Sequence, residues 1–229
     1  AGLRAADGIT AVDGKPVTAK DEYAVMDTVK GAEGTTVTLR VVTGTATPRD
    51  VPIVRAEIRE RVVESRIETQ VGRRIGYVRL DRFTTGSAKS FRDAVAKLTD
   101  QKVTGLVFDL RGDPGGLVDE AIGVTGVFLP EETGVARTKS RDGESQTLRT
   151  DDAPVVNQKV PLIVMVDRNS ASASEIVAGA LRDAGRAKLV GSRTFGKALI
   201  QTTRTLADGS AIKFTTASYL TPKGFDLGT

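Results

Sequence analysis

Residues 164–175 read VMVDRNSASASE, and this stretch decides the fold. An apolar run that ends at Val166 is typical of a buried strand, and the small residues after it lead into a helical pattern over 172–182. A serine at such a junction, here Ser172, is most often only a helix N-cap. The alternative interpretation is a nucleophile, because the unpaired N–H of Ala173 and the positive end of the helix dipole would stabilise an oxyanion beside it.

Strand and helix patterns alternate on both sides of this stretch. Strands are predicted over 76–80, 105–110, 161–166 and 188–190, and helices over 87–98, 117–128 and 172–182. These strands are apolar on both faces, which is typical of a sheet covered by helices on both sides. The sequence therefore predicts an α/β fold for this part of the chain.

The two ends of the chain follow other patterns. After residue 197, two alternating strands over 199–206 and 210–219 are joined by a hairpin turn. Before residue 57, the patterns predict a hairpin that turns at Asp13-Gly14, a helix over 19–30, and strands over 36–42 and 51–56. A unit of this size is marginal for independent folding. We therefore predict a small appended module over 1–56 and a larger domain over 57–229.

Composition removes several kinds of active site. The 229 residues include no cysteine and no histidine, so thiolate catalysis, disulfides and imidazole bases are excluded. A serine nucleophile would need another base, and a lysine amine is the obvious replacement. The 33 basic and 29 acidic residues are interspersed and aromatic content is only 4%, which argues against a nucleic-acid surface. No apolar stretch approaches the roughly 20 residues of a membrane span.

Lys197 follows Ser172 by 25 residues, in the segment GSRTFGKA over 191–198. A lone lysine is usually a solvated surface charge, and a base working near neutrality needs its pKa lowered from about 10.4 to about 7 to 8. Burial against Phe195 and the neighbouring apolar strands would lower this pKa. The segment nearly matches a P-loop, but Ala198 lacks the required hydroxyl and a strand follows where a helix is needed. We therefore predict no bound nucleotide.

Residues 109–116, DLRGDPGG, follow another buried strand. A glycine pair such as Gly115-Gly116 is ordinarily a turn with positive φ. Alternatively, it presents backbone N–H groups to an anion, as half of an oxyanion hole would. This loop and the Ser172 loop both follow the carboxyl ends of strands, where open α/β sheets place their sites.

Five segments together resemble the carboxyl-terminal processing proteases, also called tail-specific proteases, the S41 family of serine peptidases. They are SASASEI over 170–176, TFGK over 194–197, Gln201, DLRG over 109–112 and PGG over 114–116. The resemblance covers nearly the whole chain. It implies a mixed-sheet α/β protease core of the crotonase and Clp-peptidase spiral type, with residues 1–56 as the later part of a PDZ domain.

The resemblance also implies a role for each matching residue. Ser172 would be the nucleophile of a serine–lysine dyad, Lys197 the general base, and Gln201 the residue that holds the lysine amine. The implied oxyanion-hole and supporting residues are Ala173, Gly115, Gly116 and Asp183. No metal or other cofactor is implied. The substrates would be proteins with apolar carboxyl termini, captured by the PDZ domain as an added strand, and the location would be extracytoplasmic. A homo-oligomer is left open.

Two residues depart from the family pattern. Asp113 stands where the family usually has asparagine, and Ala198 stands where glycine is usual. A carboxylate near Lys197 would hold its amine protonated and weaken the base. The carboxylate-binding loop of the PDZ domain is expected before Ala1. These departures support a second hypothesis, a PDZ-bearing peptide-binding or scaffold protein whose protease core is inactive.

Overall fold

The computed structural model describes residues 2–17, 22–56, 61–140, 143–206 and 208–228. The chain forms two compact units, residues 1–60 and 61–229. No helix in the described ranges is long and apolar enough to cross a membrane.

The smaller unit is a four-stranded antiparallel sheet with one helix. Its elements are β1 (Asp7–Val12), β2 (Lys15–Pro16), α1 (Glu22–Val29), β3 (Thr36–Thr43) and β4 (Arg49–Val54), with strand order β2-β1-β3-β4. The hairpin predicted at Asp13-Gly14 is confirmed, with φ 47° and 76° at the two turn residues. Alternate residues of β3, including Leu39 and Val41, form the core of this unit. The period of two therefore buries one face of the sheet.

The larger unit contains two sheets and three helices in its described part. The helices are α2 (Ser87–Asp100), α3 (Val118–Gly126) and α4 (Ala173–Asp183). One sheet has strand order β11-β10-β7-β6-β5, parallel except for β5, and consists of β5 (Val63–Gln70), β6 (Arg73–Leu80), β7 (Gly105–Asp109), β10 (Leu162–Val166) and β11 (Lys188–Gly191). The antiparallel second sheet has order β12-β13-β8-β9 and consists of β8 (Gly134–Ser140), β9 (Ser145–Arg149), β12 (Leu199–Thr205) and β13 (Ala211–Leu220).

The main core lies against one face of the five-stranded sheet. Phe91, Phe108 and Phe128 pack there in tilted and edge-on contacts, with ring centroids 4.5 to 5.8 Å apart, and all three side chains are fully buried. The expectation that helices cover both faces of the sheet is wrong for β10, because Val164 is fully buried whereas its neighbour Ile163 is 39% exposed. The apolar run of β10 therefore packs mainly on one side.

Helix α4 lies between the two sheets. Its residues Val177 and Leu181 belong to the main core, whereas Ile176 and Ala180 pack with Val135 of β8 in a second cluster. All of its residues except one are buried. A helix that is apolar nearly all round is held by packing on both sides, so the backbone at its N-terminus is firmly placed.

Candidate active site

Ser172 joins the loop after β10 to helix α4, and its backbone is strained. Its φ of 56° and ψ of −114° lie in a region that residues with a side chain rarely adopt. Such strain costs about 1 to 3 kcal/mol and is typical of functional sites. The sharp strand-to-helix turn therefore distinguishes Ser172 from an ordinary N-cap, which has an extended backbone.

The two neighbouring serines have structural hydrogen bonds. The Ser170 hydroxyl donates to the Leu110 carbonyl at 2.8 Å, and the Ser174 hydroxyl donates to the Asp113 carbonyl at 3.0 Å. Both serines are fully buried, whereas Ser172 is partly exposed. Of the three serines, Ser172 is the one that a substrate can reach.

The glycine loop after β7 contacts the backbone around Ser172. The N–H of Ala171 donates to the carbonyl of Asp113 at 3.0 Å. Gly115 has a φ of +94°, and a Cβ added there would lie 2.5 Å from the Ala171 carbonyl oxygen and 2.8 Å from Cβ of Ser172. Only glycine allows the two loops to approach this closely.

Three amide N–H groups near Ser172, those of Gly115, Gly116 and Ala173, are candidate donors to an oxyanion. Gly115 donates to Oδ1 of Asp113 at 2.7 Å. Within the residues that the structure describes, the N–H groups of Gly116 and Ala173 donate to no protein acceptor. Gly116 is fixed by Phe83, since a Cβ at Gly116 would lie 2.0 Å from the Phe83 carbonyl oxygen. Gly116 and Ala173 therefore retain donors for an anion, whereas the Gly115 donor is occupied.

Asp113 is a fully buried carboxyl group beside this loop. Its Oδ2 has no hydrogen-bond partner among the described residues. Burial raises the pKa of Asp113 to about 7, against the lowering effects of the Gly115 N–H and the nearby Ser174 hydroxyl. The charges of Asp81 and Arg82 have smaller, opposite effects on this pKa. Asp113 is therefore partly protonated near neutral pH.

A different carboxylate contacts the lysine segment. Glu175, which is 2% exposed, accepts the N–H of Gly196 at 2.6 Å on Oε1. Its Oε2 accepts the N–H of Lys197 at 2.8 Å and the N–H of Ser172, also at 2.8 Å. Glu175 was not among the predicted site residues. The spacing of Ser172 and Glu175, which matches a capping box, was a signal for the bond between these two residues.

The Lys197 side chain is not buried as the sequence predicts. Lys197 is exposed and Phe195 is 67% exposed, so burial of the amine against Phe195 is wrong for this structure. The structure has no hydrogen bond between the Ser172 hydroxyl and the Lys197 amine. Gln201 is exposed on β12, opposite Thr215. The backbones of Ser172 and Lys197 are thus close together, while the Lys197 amine and the Gln201 amide are not joined to Ser172.

Asp183 ends helix α4. Its Oδ2 accepts the N–H of Lys223 at 3.0 Å, and its Oδ1 accepts a bond from Arg182 at 2.9 Å. Burial pushes the pKa of Asp183 up, but bonds from Thr221, Lys223 and Arg182 outweigh it, so the pKa lies below its usual value. Asp183 therefore binds the far end of α4 to the segment after β13.

Comparison with known proteins agrees with this geometry. The profile of peptidase family S41 matches residues 74–228. The chain is 35% identical over 227 residues to a probable CtpA-like serine protease of Staphylococcus haemolyticus and 37% identical over 232 residues to the carboxy-terminal-processing protease of Bartonella bacilliformis. These alignments cover 99% of this chain but 45% and 52% of the relatives, so the chain spans about half the length of the curated relatives it matches. The solved structure of a photosystem II D1 C-terminal processing protease aligns with a TM-score of 0.68 and 32% identity, covering 100% of this chain and 62% of the other.

Proposed function

The chain belongs to peptidase family S41, and on that premise we propose that it carries the catalytic centre of a serine endopeptidase that cleaves proteins near their carboxyl termini. The observation that carries this proposal is the strained backbone of Ser172 at the N-terminus of α4, beside the unpaired N–H groups of Gly116 and Ala173. Backbone strain is typical of functional sites, and free donors beside a partly exposed serine are suited to stabilising the oxyanion of acyl transfer.

In the proposed reaction, the Lys197 amine takes the proton of the Ser172 hydroxyl while Oγ attacks the scissile carbonyl carbon. The oxyanion of the tetrahedral intermediate accepts the N–H groups of Ala173 and Gly116. The lysine then returns the proton to the leaving amine, and an acyl-enzyme remains on Ser172. Water activated by the same amine hydrolyses the ester and regenerates the serine.

Backbone geometry supports Lys197 as the base. The backbone nitrogens of Ser172 and Lys197 both donate to Oε2 of Glu175 at 2.8 Å, so they lie no more than twice that distance apart. The four-carbon stem of a lysine can span this gap. Since the Lys197 side chain is exposed here, we infer that it turns toward Ser172 when a substrate binds. The substrate would exclude water and lower the pKa of the amine, and Gln201 would hold it.

The relatives' names and the smaller unit support a proposal for the substrate class. The Bartonella bacilliformis relative and the photosystem II D1 protease are both named for carboxyl-terminal processing, and we propose the same class of substrate here. Residues 1–56 would act as the later part of a PDZ domain that captures an apolar tail by strand addition. Asp183 would support the far end of α4. An extracytoplasmic location rests on the family resemblance alone.

A paired cleavage assay in the full-length protein tests this function. The substrate is an unfolded reporter with an apolar carboxyl tail, and its matched control ends in a charged tail. We expect wild-type protein to cut the apolar reporter faster, and Ser172→Ala and Lys197→Ala to leave both intact. Equal cleavage by wild-type protein and Ser172→Ala would end the proposal.

The second candidate is a peptide-binding protein with an inactive core. The observation that favours it is the exposed Lys197 side chain, which has no hydrogen bond to Ser172. It requires full-length protein to bind the apolar tail without cutting it, and Ser172 to remain unlabelled by a fluorophosphonate. Labelling of wild-type protein but not of Ser172→Ala would exclude it.

A further inference from the structure

We propose that Glu175 is a positioning residue that fixes the backbone of Lys197 beside Ser172, so that the lysine amine can reach the serine hydroxyl. The proposal rests on the proposed function of the Ser172–Lys197 pair. It adds a residue to which the family resemblance assigned no role.

The contacts of Glu175 extend beyond those of a helix cap. A capping box needs only the N-cap residue and the carboxylate three residues later, here Ser172 and Glu175. The same carboxylate also accepts the N–H groups of Gly196 and Lys197, which lie more than 20 residues further along the chain. Glu175 thus connects the segment that carries the nucleophile to the segment that carries the base.

Burial and the dipole of α4 strengthen the hydrogen bonds that the Glu175 carboxylate accepts. Glu175 is 2% exposed, and its carboxylate lies in the first turn of α4, where the helix dipole favours negative charge. Bonds from N–H groups to a carboxylate are about twice as strong as neutral ones. The three distances are short, at 2.6, 2.8 and 2.8 Å.

Two other backbone hydrogen bonds flank the positions that Glu175 holds, and one of them is the N–H of Tyr219 to the carbonyl of Ala198 at 2.7 Å. Residues 193–198 form no helix or strand. On one side of Gly196, the N–H of Phe195 donates to the carbonyl of Ser170 at 3.0 Å. Gly196 has a φ of +86°, and a left-handed residue helps successive N–H groups converge on one anion. Glu175 therefore holds the N–H groups of Gly196 and Lys197 between these two bonds, while the Lys197 side chain is exposed.

Glu175→Gln tests the role with little change in volume. The amide nitrogen of glutamine cannot accept a hydrogen bond, so either Gly196 or the pair of Ser172 and Lys197 loses its acceptor. A misplacement of about 1 Å can cost on the order of 100-fold in rate. In full-length protein we expect the kcat for the apolar-tailed substrate to fall by about that factor, with KM within roughly threefold.

A double-mutant cycle separates positioning from general damage. If Glu175 acts through the lysine, Glu175→Gln should slow the acylation of Ser172 by a fluorophosphonate when Lys197 is present. In the Lys197→Ala background, the same substitution should slow acylation by no more than roughly a further threefold. An equal loss in both backgrounds would show that Glu175 acts on the serine alone and would overturn the proposal. An unchanged kcat for Glu175→Gln would also overturn it.

Glu120→Gln is the matched control. Like Glu175, Glu120 accepts three donors: the N–H groups of Gly86 and Ala88, each at 2.7 Å, and the Ser87 hydroxyl at 3.2 Å, all at the start of α2. We expect this variant to lose comparable stability and to keep its kcat. If Ser172→Ala cuts as fast as wild-type protein, the proposed function fails. If Ser172→Ala is inactive but Glu175→Gln cuts as fast as wild-type protein, the proposed function stands and only the role of Glu175 fails.

If Glu175→Gln does not fold, amide hydrogen exchange in the wild-type full-length protein tests the contact of Glu175 with the N–H groups of Gly196 and Lys197. We expect the N–H groups of Gly196 and Lys197 to exchange slowly, although they lie outside helices and strands, and those of Arg193 and Thr194 to exchange fast. Equally fast exchange at all four positions would overturn the proposal.

Discussion

The carboxyl group of Asp113 accepts the N–H of Gly115 at 2.7 Å and is itself fully buried. Burial raises the pKa of Asp113 to about 7, from a usual value of 3.8. The folded protein therefore keeps this proton up to about pH 7, whereas the unfolded chain releases it near pH 4. Since the folded state binds more protons between these values, the contribution of Asp113 to stability falls as the pH rises from about 4 to 7 and stays lost above that.

Asp113→Asn should remove this pH dependence. The asparagine oxygen can still accept the N–H of Gly115, and the side chain cannot ionise. Between pH 5 and pH 8, we expect the free energy of unfolding of wild-type protein to fall by about 2 to 4 kcal/mol relative to that of the variant, since each unit of pKa shift corresponds to about 1.4 kcal/mol. Urea unfolding of both proteins at pH 5, 6.5 and 8 measures the difference. Parallel pH profiles would contradict the prediction.

Gly115→Ala should damage the site more than Gly112→Ala in the same loop. Both glycines have positive φ, so each alanine costs about 1 kcal/mol of backbone strain. Only at Gly115 does the new Cβ meet backbone, at 2.5 Å from the Ala171 carbonyl oxygen; at Gly112 the nearest atom is the flexible end of Arg79, at 3.7 Å. We expect cleavage to fall by roughly 100-fold for Gly115→Ala and far less for Gly112→Ala. Measurements of kcat/KM and melting temperature for both variants check this. Similar losses of kcat/KM in the two variants would contradict a close contact between the Gly115 loop and the Ser172 loop.

Local sequence patterns predicted most of the larger unit. The apolar run up to Val166 and the small residues before α4 define a strand and a helix without tertiary information. Strands β5, β8 and β9 were missed, because their residues are largely polar and exposed on one or both faces. The Asp142-Gly143 pair between β8 and β9 was the available hairpin signal. The spiral topology and the PDZ identity of residues 1–56 stay predictions.

The candidate site was only partly predictable, because its contacts join distant parts of the chain. The segment containing Ser172 and the loop containing Gly115 each have a recognisable local pattern. The bonds from Gly196 and Lys197 to Glu175 arise when a loop returns more than 20 residues later, and no local pattern encodes that return. Exposure of the Lys197 side chain likewise depends on packing around it.

Ser172→Gly should be more stable than Ser172→Ala, although both should be inactive. The backbone at Ser172, with φ 56° and ψ −114°, is strained for alanine but is accessible to glycine. We expect the glycine variant to be more stable by about 1 kcal/mol, which corresponds to about 2 to 4 °C in melting temperature for a domain of this size. Calorimetry of the two variants checks this. An alanine variant as stable as the glycine variant would show that the turn stores no strain.

Asp183→Asn should weaken the attachment of α4 to the segment after β13. The ionised Asp183 accepts bonds from Arg182 and from the N–H of Lys223, and asparagine offers one acceptor in place of two oxygens. We expect a loss of about 1 to 2 kcal/mol at pH 7. Because the pKa of Asp183 is lowered in the folded state, its contribution is present above about pH 4 and is lost as the pH falls through the folded pKa.

The difference between wild-type protein and Asp183→Asn should therefore shrink in acid, which urea unfolding at pH 7 and near pH 3 can measure. Asp93→Asn is the control, since Asp93 forms an exposed ion pair with Lys89 on α2 and exposed pairs contribute little. We expect it to change the free energy of unfolding much less at either pH. If Asp183→Asn behaves like Asp93→Asn at pH 7, the bonds at the end of α4 do not hold the two segments together.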